Sequence, residues 1–276
     1  MMRIILFTFL ISVSVNIPVS TAQISSDDAT STLEKLYLRL LINIDDADRI
    51  RINDSVRMII DSYIESDSVF NHRFNNLRYL GQITAPDSLL KIITWNLILQ
   101  NGTNKYFTYF VRKSASSNEN HIYRLTGNYS ETPIRTDTLY FESDWYGSLY
   151  YDVRPLVTDD DTCYILLGID FGNSFITRKI IEVISFAPDG RLVFGKNWFV
   201  AGDETKYREV LEYASTGVTI LRFLSDESIV FDHLVPFSPE FEGDRRYYGP
   251  DYSYDAYNYH NGKWELTLNV DVRNKE

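Results

Sequence analysis

The stretch Tyr79 to Lys113, YLGQITAPDSLLKIITWNLILQNGTNKYFTYFVRK, decides the fold. Its apolar residues recur with a period of two, and Ala85-Pro86-Asp87 and Asn101-Gly102 separate the runs. A period of two places successive side chains on opposite faces of a strand, while Pro, Gly, Asn and Asp supply the backbone angles of tight turns. Strands are expected over 78–84, 91–99 and 106–113, with Asn101-Gly102 closing a hairpin.

The same reading continues downstream. Further strands are expected over 121–125, 147–156, 163–171, 179–186, 192–199, 208–213, 218–223, 228–234, 253–259 and 263–269. Pro188-Asp189-Gly190 presets φ with proline, and Asn261-Gly262 favours a type I′ hairpin, so neighbouring strands should run antiparallel. Helical patterns do not alternate with these strands, which disfavours a parallel β-α-β sheet. Three Pro-Asp turns, at 86–87, 188–189 and 250–251, are unequally spaced and read as shared turn chemistry rather than a repeat.

Upstream the period changes. Leu33, Leu36, Tyr37, Leu40 and Leu41 recur at helical spacing, as do Val56, Ile59, Ile60, Tyr63 and Ile64. Asp45 to Asp48 breaks the first helix, and Asn53 or Asp54 is the expected cap of the second. Residues 33–75 thus form a helical pair, 23–32 a polar flexible segment, and 76–276 an antiparallel β domain. The expected class is mainly β (α+β): a sandwich or open barrel of antiparallel sheets with an N-terminal helical pair, a propeller-like arrangement being the alternative.

Residues 1–22 carry one cation, Arg3, then the apolar run Ile4 to Val15 and the small-residue exit Ser20-Thr21-Ala22, the pattern of a signal peptide. The run is shorter than the roughly 20 apolar residues of a membrane span, and no later stretch is apolar enough to be one. Removal would leave 38 acidic residues against 26 basic ones, the chain's 27 less Arg3, for a net charge of −12. A negative field of this kind, with no Lys/Arg-rich run against it, disfavours nucleic acid and anionic membrane surfaces as partners. The single cysteine, Cys163, lies in an apolar run, excludes an intramolecular disulfide and reads as a buried small hydrophobe.

No metal-binding His-Glu-x-x-His helix, Gly-x-Ser-x-Gly elbow, phosphate loop or dinucleotide fingerprint occurs in the sequence. The four histidines, His72, His121, His233 and His260, are far apart in sequence and read as structural. The most distinctive segment is 245–259, RRYYGPDYSYDAYNY. Tyrosine offers a flat apolar face and a hydroxyl, suited to sugar rings or peptide side chains, so Tyr248, Tyr252 and Tyr254 are candidate ligand contacts. The plainer reading is cross-strand aromatic pairing. Asp251, Ser253 and Asp255 alternate, which in an extended segment puts Asp251 and Asp255 on one face, able to bind calcium weakly or to share acid and base roles. The acidic run at 158–162 lacks the glycine and distal glutamate of a calcium loop and reads as a solvated turn, so no resident metal is expected. Asp232-His233 and the pair Asp271 and Arg273 are polar points in apolar strands, read as structural.

The runs Tyr79 to Asp87, Trp95-Asn96, Asn101-Gly102-Thr103, Ile229 to Leu234, Tyr248 to Asp251 and Asp271 to Asn274 together resemble a group of exported proteins of Bacteroidetes-type bacteria. The resemblance covers most of the chain from Leu33 and carries no activity with it. It implies a Gram-negative source, with the chain in the periplasm or outside the cell. It also implies O-glycosylation at Asp-Ser/Thr followed by an apolar residue, matched at Asp54, Asp67, Asp87 and Asp137. The functional expectation is an exported, non-catalytic binding or structural module whose partner is a glycan or an envelope protein. The alternative is a carboxylate-dependent glycan hydrolase using Asp251 and Asp255.

Overall fold

Strands such as Leu90–Ile98, LKIITWNLI, and Thr162–Asp170, TCYILLGID, are buried along most of their length, on both faces. A strand facing water on one side alternates; one covered on both sides does not. The computed structural model shows the cover: three sheets stacked face to face, with two helices over the outer face of the first. It describes residues 26–272 apart from 43, 67–68, 115–119 and 159–161. The expected signal peptide, the acidic run at 159–161, Asp67 and Arg273 lie outside the described residues.

The helices are α1 (Ser26–Leu40) and α2 (Asp46–Ile64). The first sheet is β1 (Gly81–Thr84), β2 (Leu90–Ile98), β3 (Asn104–Arg112) and β4 (His121–Asn128), antiparallel in chain order. The second contains β5 (Tyr140–Phe141), β6 (Leu149–Val157), β7 (Thr162–Asp170), β8 (Ile176–Phe186) and β9 (Leu192–Phe194) in the order β5-β9-β8-β7-β6. The chain then enters the third sheet with β10 (Phe199–Ala201) and β11 (Glu204–Lys206), and returns to the second with β12 (Glu209–Ala214), which pairs the first half of β8. It completes the third with β13 (Leu221–Ser225), β14 (Ser228–Pro236), β15 (Tyr248–His260) and β16 (Lys263–Thr267), in the order β11-β10-β16-β15-β14-β13. β10 and β16 run parallel; the other pairs are antiparallel.

Three apolar layers follow. Ile93, Trp95, Leu97 and Phe107 meet Leu33, Val56 and Ile60 of the helices. The opposite face of the first sheet, with Ile92, Tyr106 and Phe110, meets Tyr150, Leu166, Ile184 and Phe194 of the second. The far face of the second, with Ile165, Leu167 and Val183, meets Phe231, Tyr257 and Trp264 of the third. Each such side chain contributes roughly 1.5–3 kcal/mol by leaving water. No described sheet closes on itself, so the architecture is mainly β with an N-terminal helical pair, as expected, and is a layered sandwich rather than a closed barrel.

Local differences from the sequence expectation have physical causes. α1 begins at Ser26, inside the segment expected to be flexible, because Ala29 extends the buried stripe of Leu33 and Leu36 by one more turn. Asp45, not Asn53 or Asp54, caps α2: its side chain accepts from Asp48 N at 2.8 Å, and Asp46 and Asp48 favour the helix N-terminus. Asn53 is instead buried within α2 and accepts from Trp95 Nε1 at 2.9 Å. The strand expected over 192–199 divides at Gly195, whose φ of +100° turns the chain from the second sheet to the third. The three expected hairpin turns, at Asn101-Gly102, Pro188-Asp189-Gly190 and Asn261-Gly262, each join antiparallel neighbours, with Asn261 at φ +48° and Gly262 at +82°.

A candidate ligand groove between the second and third sheets

β14 and β15 pair in two registers. Ser228 to Asp232 oppose Asn258 to Tyr254, and Leu234 to Pro236 oppose Pro250 to Tyr248. Between them one residue on β14, His233, faces three on β15, Asp251, Tyr252 and Ser253. The extra residues form a bulge with Tyr252 at its tip, at φ +70° and 95 % exposed. Bulges break the ladder and re-aim side chains.

This bulge explains where the expected site residues lie. Asp251 is exposed and turned onto its own loop, where its Oδ1 accepts from Ser253 N at 3.0 Å and Ser253 Oγ at 2.7 Å. Those two bonds, with a smaller pull from His233, hold its carboxyl below the usual carboxylate range. Asp255 is buried; its Oδ2 lies 2.7 Å from His233 Nδ1, and its Oδ1 accepts from Asn269 N at 3.1 Å. The alternation that would align Asp251 with Asp255 is therefore interrupted at Tyr252. Tyr248 is buried, its hydroxyl accepting from Gly243 N at 3.0 Å. Tyr254 is half-buried, and its carbonyl accepts from Val270 N at 2.8 Å.

Asp255 and His233 line a groove of about 200 Å³ at the margin between β12 and β14–β15. Asp251 is not part of its lining. On the β12 wall, Glu209 accepts from Tyr257 Oη at 2.6 Å and Lys206 Nζ at 3.0 Å. Glu212 accepts from Arg178 Nε at 2.7 Å, and Arg178 donates onward to Asp170 Oδ2 at 3.1 Å. Burial and the neighbouring Glu209 raise the Tyr257 phenol well above its ordinary value, so it remains a donor. At the mouth, the Arg245 guanidinium lies 4.3 Å from the centre of the Tyr248 ring and makes no carboxylate contact among the described residues.

The carboxylates of the groove are thus committed to neighbours, while Arg245 and His233 also line it, with no hydrogen bond on the guanidinium or on the second ring nitrogen among the described residues. Among the described residues there is no grouping of three or more His, Cys, Asp or Glu that could hold a metal ion. His233 was legible only as a polar point in an apolar strand, and Arg245 opens the tyrosine segment without being singled out there; Glu209 gave no motif, because sheet stacking brings it to the groove from a segment far from β15 in sequence. No protein-family model matches the chain, and neither a curated protein nor a solved structure matches it.

Proposed function

We propose that the chain is an exported, non-catalytic glycan-binding module of a Gram-negative envelope or its exterior, with the groove at His233, Asp255 and Arg245 as the binding site. The observation that carries this reading is the bulge opposite His233: the imidazole there bonds buried Asp255 through Nδ1 at 2.7 Å and lines one groove with Asp255 and Arg245. Asp255 fixes the ring, as a carboxylate partner does for an imidazole that must hold one orientation. Arg245, stacked on Tyr248, offers planar donors, and Tyr252 offers an exposed ring on the same strand.

A carboxylate-dependent hydrolase fits less well. It requires two carboxyl groups flanking one bond, and of Asp251 and Asp255 only Asp255 lines the groove. An array of envelope, host and plant glycans tests the proposal. Retention of the chain from Gln23 onward is expected, and is expected to be lost in Arg245→Ala and His233→Asn. Retention unchanged in both variants would remove the groove from the account, and product release from a bound glycan would restore the hydrolase.

A further inference from the structure

An open sheet ends in a strand whose outer main-chain N–H and C=O groups can pair with another strand. Most such ends are blunted here. β1, β5 and β11 have four, two and three residues. β6 is interrupted by a bulge between Tyr150 and Asp152 and carries Pro155. β12 lies against the turn Arg245–Tyr247. β13 has five residues, a register break between Phe223 and Ser225, and Tyr151 Oη donating to the Leu221 carbonyl at 2.9 Å. β4 differs: it ends the first sheet with eight residues in unbroken register with β3 and no proline.

The N–H of Tyr129, just past β4, donates to the Asn104 carbonyl at 2.9 Å, which fixes the phase of the ladder: Tyr123, Leu125 and Gly127 direct their main-chain groups to β3. Ile122, Arg124, Thr126 and Asn128 direct theirs away, and these four donors and four acceptors meet no other main-chain group among the described residues. The side chains of Arg124, Thr126 and Asn128 are exposed. The one charge that could blunt this edge, Arg124, is matched on α2 by Asp61 at 2.8 Å and Glu65 at 2.7 Å. The edge is also self-complementary. An antiparallel partner must set outward-facing residues against outward-facing residues, and a second copy does so in full when a two-fold axis, perpendicular to the sheet, passes through Leu125. Ile122 then faces Asn128 and Arg124 faces Thr126 of the copy, every outward group pairs, and no like charges stand opposite. Moving the axis to Arg124 sets that guanidinium against itself, and moving it to Thr126 leaves Ile122 unpaired.

We propose that the chain forms a two-fold dimer through β4, continuing the first sheet from one copy into the other with both helical pairs on the same face. The partner is a second copy because the outward groups of β4 match themselves in full in that one register.

Sedimentation equilibrium of the chain from Gln23 onward, over the micromolar range, tests this. The parent is expected to dimerise. Thr126→Pro removes a donor that points away from β3, so the chain should stay folded and sediment as a monomer. Thr126→Glu and Thr126→Arg are exposed changes that decide the matter even where the proline variant fails to fold. Position 126 faces Arg124 of the copy twice in the dimer, so Thr126→Glu should tighten it about fivefold and Thr126→Arg weaken it about as much. Net charge alone predicts the reverse order, because the chain is acidic overall. A monomeric parent, a folded Thr126→Pro that still dimerises, or a Thr126→Glu dimer no tighter than that of Thr126→Arg would overturn the proposal.

Discussion

Arg208 Nε donates to Glu182 Oε2 at 2.7 Å, and both side chains are fully buried between β8, β9 and the segment 135–138. Arg208 also donates to the carbonyls of Arg135, Thr138 and Phe194, while Tyr146 Oη donates to the same Glu182 oxygen at 2.8 Å. Burial pushes the Glu182 carboxyl up, and Arg208 and Tyr146 pull it back. The pair ties a long irregular connection to the middle sheet. Removing one partner leaves an uncompensated buried charge, so Glu182→Leu should cost about 3–5 kcal/mol in urea unfolding. Adding Arg208→Met should cost less than the sum of the two single changes, because it removes the stranded charge.

The Asn53 to Trp95 bond joins the helical layer to the first sheet, and both side chains are buried. Asn53→Leu leaves the indole N–H unpaired and should destabilise the chain by about 1–3 kcal/mol. Urea unfolding followed by tryptophan emission measures it; an unchanged midpoint would show that the bond is replaced by another acceptor.

Lys91 is 2 % exposed and has no carboxylate partner among the described residues. Its Nζ donates to Tyr63 Oη, Val69 O and His72 O, each at 2.6 Å. Burial, with a smaller contribution from Arg73, lowers its pKa to about 8 from 10.5. Between these values the folded chain has released a proton that the unfolded chain still holds, so stability rises with pH across that window. The stability of the parent minus that of Lys91→Met should therefore be flat below about pH 8 and climb above it, by at most about 1.4 kcal/mol per pH unit. A difference that stays flat to pH 10.5 contradicts this.

Gly127 on β4 lies directly on Gly147, and a Cβ at 127 would fall 2.5 Å from Gly147 Cα. Both sides of that contact are backbone, which cannot yield as a flexible side chain can. Gly127→Ala should cost about 2–3 kcal/mol, the upper part of the overpacking range. At Gly102 a Cβ would meet nothing within 4 Å, so Gly102→Ala carries only the strain of φ +79° and should cost less.

Much of the architecture was legible because strand period and turn chemistry are local. The hairpin at Asn261-Gly262 and the strand pairs around it need no distant partner to be recognised. The third layer was less legible, since the runs in β2 and β7 show that a strand is covered twice but not by what. The candidate site was legible to the extent that its carboxylate, Asp255, lies in the tyrosine segment. The bulge at Tyr252 was misplaced rather than visible: Pro250-Asp251 reads as a turn before the strand, but Gly249 and Pro250 pair with β14 and the break falls at Tyr252, which hid the pairing of His233 to Asp255.

The most direct test of the binding groove is thermal unfolding of the chain from Gln23 onward with each array-positive glycan, compared with Arg245→Ala and His233→Asn. A ligand that binds only the folded chain at 100 times its dissociation constant adds about 2.7 kcal/mol and raises the midpoint. The account predicts that rise in the parent and its loss in both variants, with their ligand-free midpoints little changed. Equal rises in all three proteins, or none in the parent, would contradict it.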